Sequence, residues 1–365
     1  MSIFDEFLIF YVKKYYGNVN NMKDCLHCHK IQEPNPYHAE GDVWSHTVSV
    51  MSVLKYIIEK QKENIKTSTI LAVSALLHDV GKLYTRNIKD HKVTFYNHGE
   101  YAVQYAIDVY YEFVQQLPEE KQKEYWSPEY LSGIINLVGN HMKFYQVSDV
   151  NKADLINNSP YLFSLFKLFQ EADFTASYSV TSNNKLTNDI FYKQINFSDL
   201  DIWVYMGLPG SGKDTHAIQN GYNVVSLDKA RITAYNAYSL NDPYINEYTT
   251  NSEFYNRAYN YCNDKNINLN SYLKTQMSES NSFAVCNTHM SIKSRKATVN
   301  LIKELCPNAK IGCRFMVTPT DVCIDRDLKR EKFDKSVGKR VIKVLGTKID
   351  PPTMMEDFDR IEYIV

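Results

Sequence analysis

The sequence predicts two domains, an all-helical amino-terminal domain and a carboxy-terminal domain of the α/β class with a parallel sheet. The first prediction rests on apolar residues that recur at helical spacing over 48–58 and 70–77, with little strand-like alternation nearby. The second rests on short apolar runs at 202–206, 223–227 and 282–286, which alternate with helical patterns. Buried strands that alternate with helices are typical of a parallel sheet covered by helices.

A polar segment separates the two patterns. Residues Thr181–Lys185 lack periodicity and lie between apolar segments, as a linker or a surface loop does. A chain of 365 residues with 44% hydrophobic content is also long enough to bury two cores. We therefore predict a helical domain at 1–180, a linker at 181–200 and an α/β domain at 201–365.

Composition and charge indicate a globular protein without a membrane span. The net charge is −1, so any contact with nucleic acid would depend on local basic clusters. No apolar run approaches the roughly 20 residues that cross a bilayer, and Met1–Glu6 is acidic where a signal peptide is basic. The 7 scattered cysteines, an odd number, indicate reduced thiols. We expect a cytoplasmic protein that does not bind a membrane.

The helical domain carries histidines and aspartates that predict a metal site. The doublet His78-Asp79 follows the apolar run Leu71–Leu77, which can anchor a buried helix, so two ligands would leave one helix end. Imidazole and carboxylate together suit divalent transition metals such as Mn, Fe, Co, Ni or Zn. The candidate ligands are His46, His78, Asp79, His98, His141 and Asp173.

Three neighbouring features allow more than one interpretation. Lys82 could offset the charge of a bound phosphate, or it could be a solvated lysine at a helix end. The segment Cys25–His29 contains a CxxC with two histidines, but no second ligand pair follows at zinc-finger spacing, so we interpret it as incidental. His38 could line the site or cap a turn, and we do not predict it to be a ligand.

The order of these motifs resembles that of the HD superfamily of phosphohydrolases. The resemblance rests on the segments Trp44–Thr47, His78–Lys82, Asn97–Gly99, Asn140–Met142 and Glu171–Asp173. It covers the whole first half of the chain, and 38–47 is especially similar to the HD domains of bacterial tRNA nucleotidyltransferases.

The resemblance implies an all-helical HD domain with two metal ions. It implies that His46, His78 and Asp173 hold one ion, that His98 and His141 hold the other, and that Asp79 bridges them. A bridged metal pair activates water and clamps the entering and leaving oxygens of an in-line displacement. That chemistry suits phosphomonoesters, phosphodiesters and cyclic phosphates.

The α/β domain begins with a predicted phosphate-binding loop. Residues Gly207–Lys213 match the GxxxxGK pattern and lie between a predicted strand and a predicted helix, as this motif requires. Its glycines let backbone N–H groups converge on phosphate oxygens, and its lysine neutralises the γ-phosphoryl group. We expect ATP, or another nucleoside triphosphate, to bind here with Mg²⁺. The predicted contacts are Gly207, Gly210, Ser211, Gly212, Lys213, Asp214 and Thr215.

One position departs from the usual pattern. Asp214 occupies the place that normally holds a serine or threonine, and Thr215 follows it. A hydroxyl there usually binds Mg²⁺ directly, whereas a carboxylate would bind the ion through water or shift it. We predict that nucleotide binding survives this change.

The residues after the second predicted strand resemble those of the P-loop polynucleotide kinases. In that family an aspartate activates a 5′-hydroxyl and an arginine three residues later holds the acceptor's own phosphate, which implies these roles for Asp228 and Arg231. The alternative is a helix N-cap aspartate followed by a surface arginine. Asn287 follows the third strand, where the family more often has aspartate, and we assign it to the acceptor side.

Two arginines complete the predicted kinase site. Arg326 and Arg330 lie four residues apart on one helical face and resemble the arginines of the kinase lid. With Lys213 they could bracket the donor phosphates and stabilise transition-state charge. A solvated basic helix face is the alternative.

Together the two halves resemble the bifunctional HD-Pnk family of RNA end-healing enzymes. The resemblance implies that the α/β half phosphorylates a 5′-hydroxyl end with ATP and Mg²⁺, while the HD half removes a 2′,3′-cyclic phosphate or a 3′-phosphate. The implied partners are RNA ends, or DNA ends, and a separate RNA ligase.

Two other functions fit the same residues. Both halves could act on free nucleotides, as a nucleoside kinase and a nucleotide phosphohydrolase. Alternatively, the loop with Asp214 could sense a nucleotide and regulate the HD hydrolase. Arg231 favours a polynucleotide acceptor over a nucleoside, and the set of Lys213, Asp228, Arg326 and Arg330 argues against a sensing role.

Overall fold

The chain forms two compact units. The computed structural model describes residues 2–27, 38, 41–177, 202–238, 251–330 and 336–365. The first unit contains the described residues up to Ser177 together with 346–353, and the second contains those of 202–345 and 354–364. The predicted linker at 181–200 lies outside the described residues.

The first unit is helical, as predicted, with one short antiparallel hairpin. Before the hairpin lie α1 (Ile3–Lys14), α2 (Tyr16–Asp24), α3 (Val43–Gln61), α4 (Ile65–Leu77) and α5 (Lys82–Thr85). The hairpin pairs β1 (Asn87–Lys89) with β2 (Lys92–Thr94). After it lie α6 (His98–Val114), α7 (Glu119–Tyr125), α8 (Pro128–Gln146), α9 (Asp149–Leu155) and α10 (Pro160–Ala176). The hairpin was not predicted, because strands of three residues are too short to show alternation.

Side-chain caps fix the two helices that begin the site. Asp42 Oδ1 accepts a hydrogen bond of 2.7 Å from the backbone N–H of Ser45 at the start of α3. Asn64 Oδ1 accepts one of 2.9 Å from Thr67 at the start of α4. The first cap fixes the start of α3, where His46 lies, and the second fixes the start of α4, which leads to His78.

Helix α4 is the central helix of the first unit. Every residue from Thr67 to Leu77 is buried, and the helix packs against α1, α3 and α8. A helix that is apolar on all sides belongs in a core. Its carboxyl end therefore holds His78 and Asp79 on a rigid support.

The segment 346–353 packs on the helices of the first unit. Asp350 forms an ion pair of 2.8 Å with Lys143 of α8. A Cβ atom at Gly139 would lie 2.3 Å from Pro351 Cγ, so only glycine allows this close approach. No local pattern in the sequence indicates this long-range contact.

The second unit is built on a five-stranded parallel sheet with the order β4-β5-β3-β6-β7. Its strands are β3 (Ile202–Met206), β4 (Asn223–Val225), β5 (Phe283–Cys286), β6 (Ile311–Met316) and β7 (Arg360–Ile364). The first three correspond to the three predicted strands, and the prediction of a parallel α/β sheet is confirmed. The carboxyl ends of parallel strands meet at one edge, so the loops after β3, β4 and β5 lie together.

Helices connect these strands. They are α11 (Lys213–Gln219), α12 (Leu227–Tyr238), α13 (Asn251–Asp264), α14 (Leu269–Ser278), α15 (Ile292–Leu305), α16 (Thr320–Arg330) and α17 (Lys339–Gly346). A 3₁₀ helix covers Met354–Glu356. In the part of the chain that the structure describes, no helix combines the length and the hydropathy needed to cross a membrane.

Candidate metal centre and phosphate-binding loop

Asp79 lies at the centre of the histidines in the first unit. Its side chain is 2% exposed. Its Oδ2 atom lies 3.4 Å from His78 Nε2 and 3.9 Å from His46 Nε2. Its Oδ1 atom lies 3.2 Å from His98 Nε2 and 3.8 Å from His141 Nε2. One carboxylate therefore faces two separate pairs of imidazoles with its two oxygens.

Asp173 of α10 adds a second carboxylate to the group of ligands around Oδ2 of Asp79. The Oδ1 atom of Asp173 lies 2.9 Å from His46 Nε2 and 3.9 Å from His78 Nε2. Tyr145, which the sequence analysis did not single out, donates a hydrogen bond of 3.2 Å to Asp173 Oδ2 and so orients the carboxylate. Two groups of ligand atoms result, each within 4.8 Å: His46, His78 and Asp173, and Asp79, His98 and His141.

Backbone carbonyls set the tautomers of three of the histidines. In His78, His98 and His141, the Nδ1 atom lies 2.8–2.9 Å from the carbonyl oxygen three residues earlier. A carbonyl oxygen only accepts, so each Nδ1 carries a proton, and Nε2 is the nitrogen that faces inward and can bind an ion. This second hydrogen bond is the usual support of a metal-bound histidine.

The contact between His98 and His141 tests whether a cation fits. Their Nε2 atoms are 2.9 Å apart, and an imidazole that binds a metal through Nε2 carries no proton on that atom. Two facing lone pairs repel, whereas two nitrogens that bind one ion at about 2.1 Å in neighbouring octahedral positions lie roughly 3 Å apart. His78 Nε2 is also buried without a hydrogen-bond partner among the described residues. The donor set therefore fits two divalent cations that share Asp79.

The protonation states are those that metal ligands need. Burial alone would raise the pKa of Asp79, but neighbouring groups, among them the positively charged Lys82, hold that pKa well below its usual value. Burial would likewise raise the pKa of Asp173, and its hydrogen bond with His46 lowers it. Burial lowers the pKa of His141 to about 3. The carboxylates are thus charged and this imidazole neutral near pH 7.

Lys82 belongs to the same buried cluster. It is 7% exposed, so it is not the solvated lysine of the alternative interpretation. Its Nζ atom lies 2.6 Å from Asp79 Oδ2 and 3.2 Å from His27 Nδ1. The ammonium group therefore faces the Oδ2 side of the candidate metal centre.

His27 and His38 also lie at the centre; the sequence left His38 open between lining the site and capping a turn, and it gave no role to His27. Their rings stack with centroids 4.3 Å apart, and both meet the ring of His46 edge-on. The segment Cys25–His29 was interpreted as incidental, and its residues Cys28 and His29 lie outside the described residues. The local density of histidines was the signal that could have pointed to His27 and His38, but the spacing rules for zinc sites do not recognise it.

In the second unit, the predicted phosphate-binding loop connects β3 to α11. Gly207, Gly210 and Gly212 have positive φ angles of 145°, 82° and 94°. A Cβ atom at Gly210 would lie 2.4 Å from the carbonyl oxygen of Cys323, so a side chain is excluded there. The loop thus has the backbone that the glycines of GxxxxGK predict.

The loop lysine is bonded to the loop itself. Lys213 Nζ donates hydrogen bonds of 2.9 and 2.8 Å to the carbonyl oxygens of Gly207 and Leu208. Burial lowers the pKa of Lys213. Asp214 and Thr215 are exposed in the first turn of α11, whereas Ser211 is buried.

The arginines of α16 lie near this loop. Arg326 donates a hydrogen bond of 3.4 Å from its Nη1 atom to the carbonyl oxygen of Gly210. Arg330 is half-buried, and its charge contributes to the lowered pKa of Lys213. Arg326 is exposed but reaches the loop, and Arg330 is near enough for its charge to act on Lys213.

Asp228 and Arg231 form a pair on the first turns of α12. Arg231 Nη1 lies 2.8 Å from Asp228 Oδ1, and the guanidinium group lies 4.9 Å from the ring centre of Tyr259. Asp228 is not the N-cap of the alternative interpretation, because Ser226 Oγ accepts the capping hydrogen bond from Lys229.

Asn287 fixes the start of the same helix. Its Oδ1 atom accepts a hydrogen bond of 3.0 Å from the backbone N–H of Leu227, directly before Asp228. Asn287, which the sequence analysis assigned to the acceptor side, thus joins the end of β5 to the helix that carries Asp228. This structural contact was not foreseen.

Comparison with known families matches one part of the chain. Residues 43–156 match the family model described as HD domain. The match contains His46, His78, Asp79, His98 and His141, and it ends before Asp173. No curated protein matches the chain. The match supports an HD-superfamily phosphohydrolase, a hydrolase of the phosphodiesterase or phosphatase kind that binds divalent metals.

Proposed function

We propose that the chain heals nucleic-acid ends with two separate active sites. The first unit removes a 2′,3′-cyclic phosphate or a 3′-phosphate from RNA, and the second transfers the γ-phosphoryl group of ATP to a 5′-hydroxyl end. The observation that carries the proposal is the Asp79 carboxylate, which offers one oxygen to each of two groups of imidazoles.

The first unit supplies ligands for two ions. His46, His78 and Asp173 would hold one beside Asp79 Oδ2, and His98 and His141 would hold the other beside Oδ1. Mn, Fe, Co, Ni and Zn all accept such mixed imidazole and carboxylate ligands. A bound pair of these ions would lower the pKa of a coordinated water towards neutrality and clamp the oxygens of an in-line displacement.

The protein's own groups prepare the site for a phosphate. Lys82 contributes a positive charge within 2.6 Å of Asp79 and so draws anions to the Oδ2 side. Tyr145 and the backbone carbonyls hold Asp173 and the imidazoles in position, so little reorganisation accompanies binding.

The second unit supplies the parts of a phosphoryl transferase. Lys213, Arg326 and Arg330 would surround the donor phosphates of ATP, with Mg²⁺ held near Asp214. Asp228 would accept the proton of the 5′-hydroxyl group as general base. Arg231, which lies beside it, would bind the phosphate of the acceptor's terminal nucleotide.

The two reactions serve one substrate. Cleavage of RNA by its own 2′-hydroxyl leaves a 2′,3′-cyclic phosphate on one end and a 5′-hydroxyl on the other. Both ends must be converted before a ligase that joins a 5′-phosphate to a 3′-hydroxyl can act on them. One site here acts on each of them, so a separate RNA ligase is the expected partner. Arg231 supports a polynucleotide over a nucleoside, because a nucleoside has no phosphate for it to hold.

A single substrate tests both activities. An RNA with a 5′-hydroxyl and a 2′,3′-cyclic phosphate is incubated with the full chain, Mn²⁺ and γ-labelled ATP, and both ends are analysed. We expect label at the 5′ end and loss of the cyclic phosphate. Transfer of label to a free nucleoside at a comparable kcat/KM, or retention of the terminal phosphate with every divalent metal, would refute the corresponding half.

A further inference from the structure

His27 is held against the candidate metal centre by backbone hydrogen bonds. Leu26 and Asp42 form an antiparallel bridge, and the N–H of His27 donates a hydrogen bond of 3.2 Å to the carbonyl oxygen of Gly41. This pairing fixes the residue beside the start of α3, where His46 lies. The side chain of His27 is 2% exposed.

The hydrogen bond between Lys82 and His27 sets a tautomer opposite to that of the other histidines. An ammonium group only donates, so His27 Nδ1, 3.2 Å from Lys82 Nζ, is the acceptor. The neutral ring therefore carries its proton on Nε2. In His78, His98 and His141 the proton is on Nδ1, because a carbonyl oxygen faces that atom. His27 thus presents an N–H group where those three present lone pairs.

This difference excludes His27 as a metal ligand while Lys82 donates to it. His27, His38 and His46 are close enough for their nitrogens to surround an ion. However, a protonated Nε2 has no lone pair to give, and the Lys82 charge opposes a further cation.

The Nε2–H group points into the site without an acceptor. It lies 3.8 Å from Asp79 Oδ2, which is too long for a hydrogen bond. It is buried and has no hydrogen-bond partner among the residues that the structure describes. A buried donor of this kind needs an acceptor oxygen, and the described residues do not supply one.

We propose that His27 Nε2 donates a hydrogen bond to a non-bridging phosphoryl oxygen of the substrate. His27 and Lys82 then form a phosphate-binding pair on the Oδ2 side of Asp79, one neutral donor beside one cation. Two adjacent donors suit an anion with several equivalent oxygens better than a single water molecule. The inference rests on the proposed phosphohydrolase function and assigns a phosphate contact within that site.

His38 supports the orientation of this donor. Its ring stacks on that of His27 at an interplanar angle of 13°, and it is partly exposed. The stacked pair therefore extends from the buried site towards solvent and keeps the imidazole of His27 from turning away.

The test is binding of inorganic phosphate to the full chain loaded with Mn²⁺, measured by calorimetry alongside metal content. His27→Phe keeps an aromatic ring against His38 but removes the donor, and His27→Gln keeps both a donor and an acceptor for Lys82. We expect a dissociation constant about tenfold higher in His27→Phe, largely restored in His27→Gln, with unchanged metal content. His91→Phe, at an exposed turn, is the matched control.

Each other outcome has a definite meaning. Loss of about one metal equivalent in His27→Phe would make His27 a ligand and overturn the proposal, as would unchanged phosphate binding in that variant. Absence of phosphate binding in the wild-type protein would also overturn it. If wild-type protein binds phosphate through His27 but leaves cyclic phosphate ends intact, the end-healing function fails while the phosphate contact stands.

Discussion

The two candidate sites are built in different ways. The metal centre gathers buried and partly buried side chains from α3, the end of α4, α6, α8 and α10, which are far apart in the sequence. The phosphate-binding loop is formed by the consecutive residues Gly207–Lys213, three of which are glycines with positive φ angles. A contiguous motif implies its own geometry, whereas a dispersed one becomes a site only when the helices bring it together.

The sites also differ in how far the protein satisfies its own polar groups. The Nε2 atoms of His98 and His141 face each other at 2.9 Å, and a metal ion bound to both would use both lone pairs. Lys213, in contrast, already donates to the carbonyl oxygens of Gly207 and Leu208. Metal binding would therefore give the histidine nitrogens of the first unit a partner. Nucleotide binding in the second unit would replace the hydrogen bonds of Lys213 to the loop with contacts to phosphate.

Substitution of the shared carboxylate gives the largest expected difference between the two sites. Asp79→Asn keeps the volume of the side chain but removes the charge that faces both imidazole pairs. We expect removal of terminal phosphate to fall by at least about 1000-fold, with 5′-kinase activity retained. Both rates are measured on one RNA substrate, and metal content is measured with them.

The matched control is Asp90→Asn, an exposed aspartate between β1 and β2. Full phosphohydrolase activity in Asp79→Asn would contradict a role for the bridging carboxylate.

Substitution of the loop lysine should give the reverse pattern. Lys213→Ala removes the charge that balances the donor phosphates, so we expect kinase kcat/KM to fall by about 1000-fold while phosphohydrolase activity is retained. The exposed Lys265→Ala serves as control. A folded variant that lost both activities would show that the two sites are not independent.

The sequence indicated the metal-centre residues, and the resemblance to HD phosphohydrolases implied their grouping around Asp79, but neither indicated the side chains that support them. The apolar run before His78 and the order of the motifs indicated which side chains to consider, and the structure brings His46, His78, Asp79, His98, His141 and Asp173 together. The sequence could not indicate His27 or Tyr145, because neither residue has a diagnostic spacing. Nor could it indicate tautomers, which depend on which oxygen or ammonium group faces each ring.

In the second unit the same limit applies to supporting contacts. The glycine pattern predicted a phosphate-binding loop, and the structure gives Gly207, Gly210 and Gly212 positive φ angles that few other residues adopt. The hydrogen bond from Leu227 to Asn287 joins residues 60 positions apart, and no local pattern encodes it. Long-range hydrogen bonds follow from the fold and not from the motif.

A histidine of the second unit extends the comparison to pH. His289 is buried and fully bonded by protein groups, with Nδ1 donating to the carbonyl oxygen of Tyr205 and Nε2 accepting from Thr298. Burial lowers its pKa from 6.5 to about 4. Below pH 6.5 the unfolded chain therefore binds a proton that the folded chain does not, and the stability of the second unit falls until about pH 4.

The expected loss is about 3 kcal/mol over that pH range. Fluorescence of Trp203, which is buried in β3, reports it once Trp44 and Trp126 of the first unit are replaced by phenylalanine. His289→Gln should flatten the acid slope, and His91→Gln should leave it unchanged. Equal slopes in all three proteins would assign the acid sensitivity to other groups.

The smallest effect is expected at Asn287, which lies outside the contiguous loop and supports the helix that carries Asp228. Its Oδ1 atom fixes the N–H of Leu227, so Asn287→Ala would let the first turn of α12 move and displace Asp228 from the acceptor hydroxyl. We expect kinase kcat to fall about tenfold, while the dissociation constant for ATP stays the same because Lys213 and Arg326 do not depend on α12.

Asn287→Asp distinguishes support from direct contact with the acceptor. The carboxylate still accepts from Leu227, so a purely supporting role predicts a kcat close to that of the wild-type protein. If Asn287 instead donates its amide N–H to the acceptor, both variants should raise the KM for the RNA end. The comparison of kcat with KM therefore shows whether Asn287 contacts the acceptor itself or acts only by supporting Asp228.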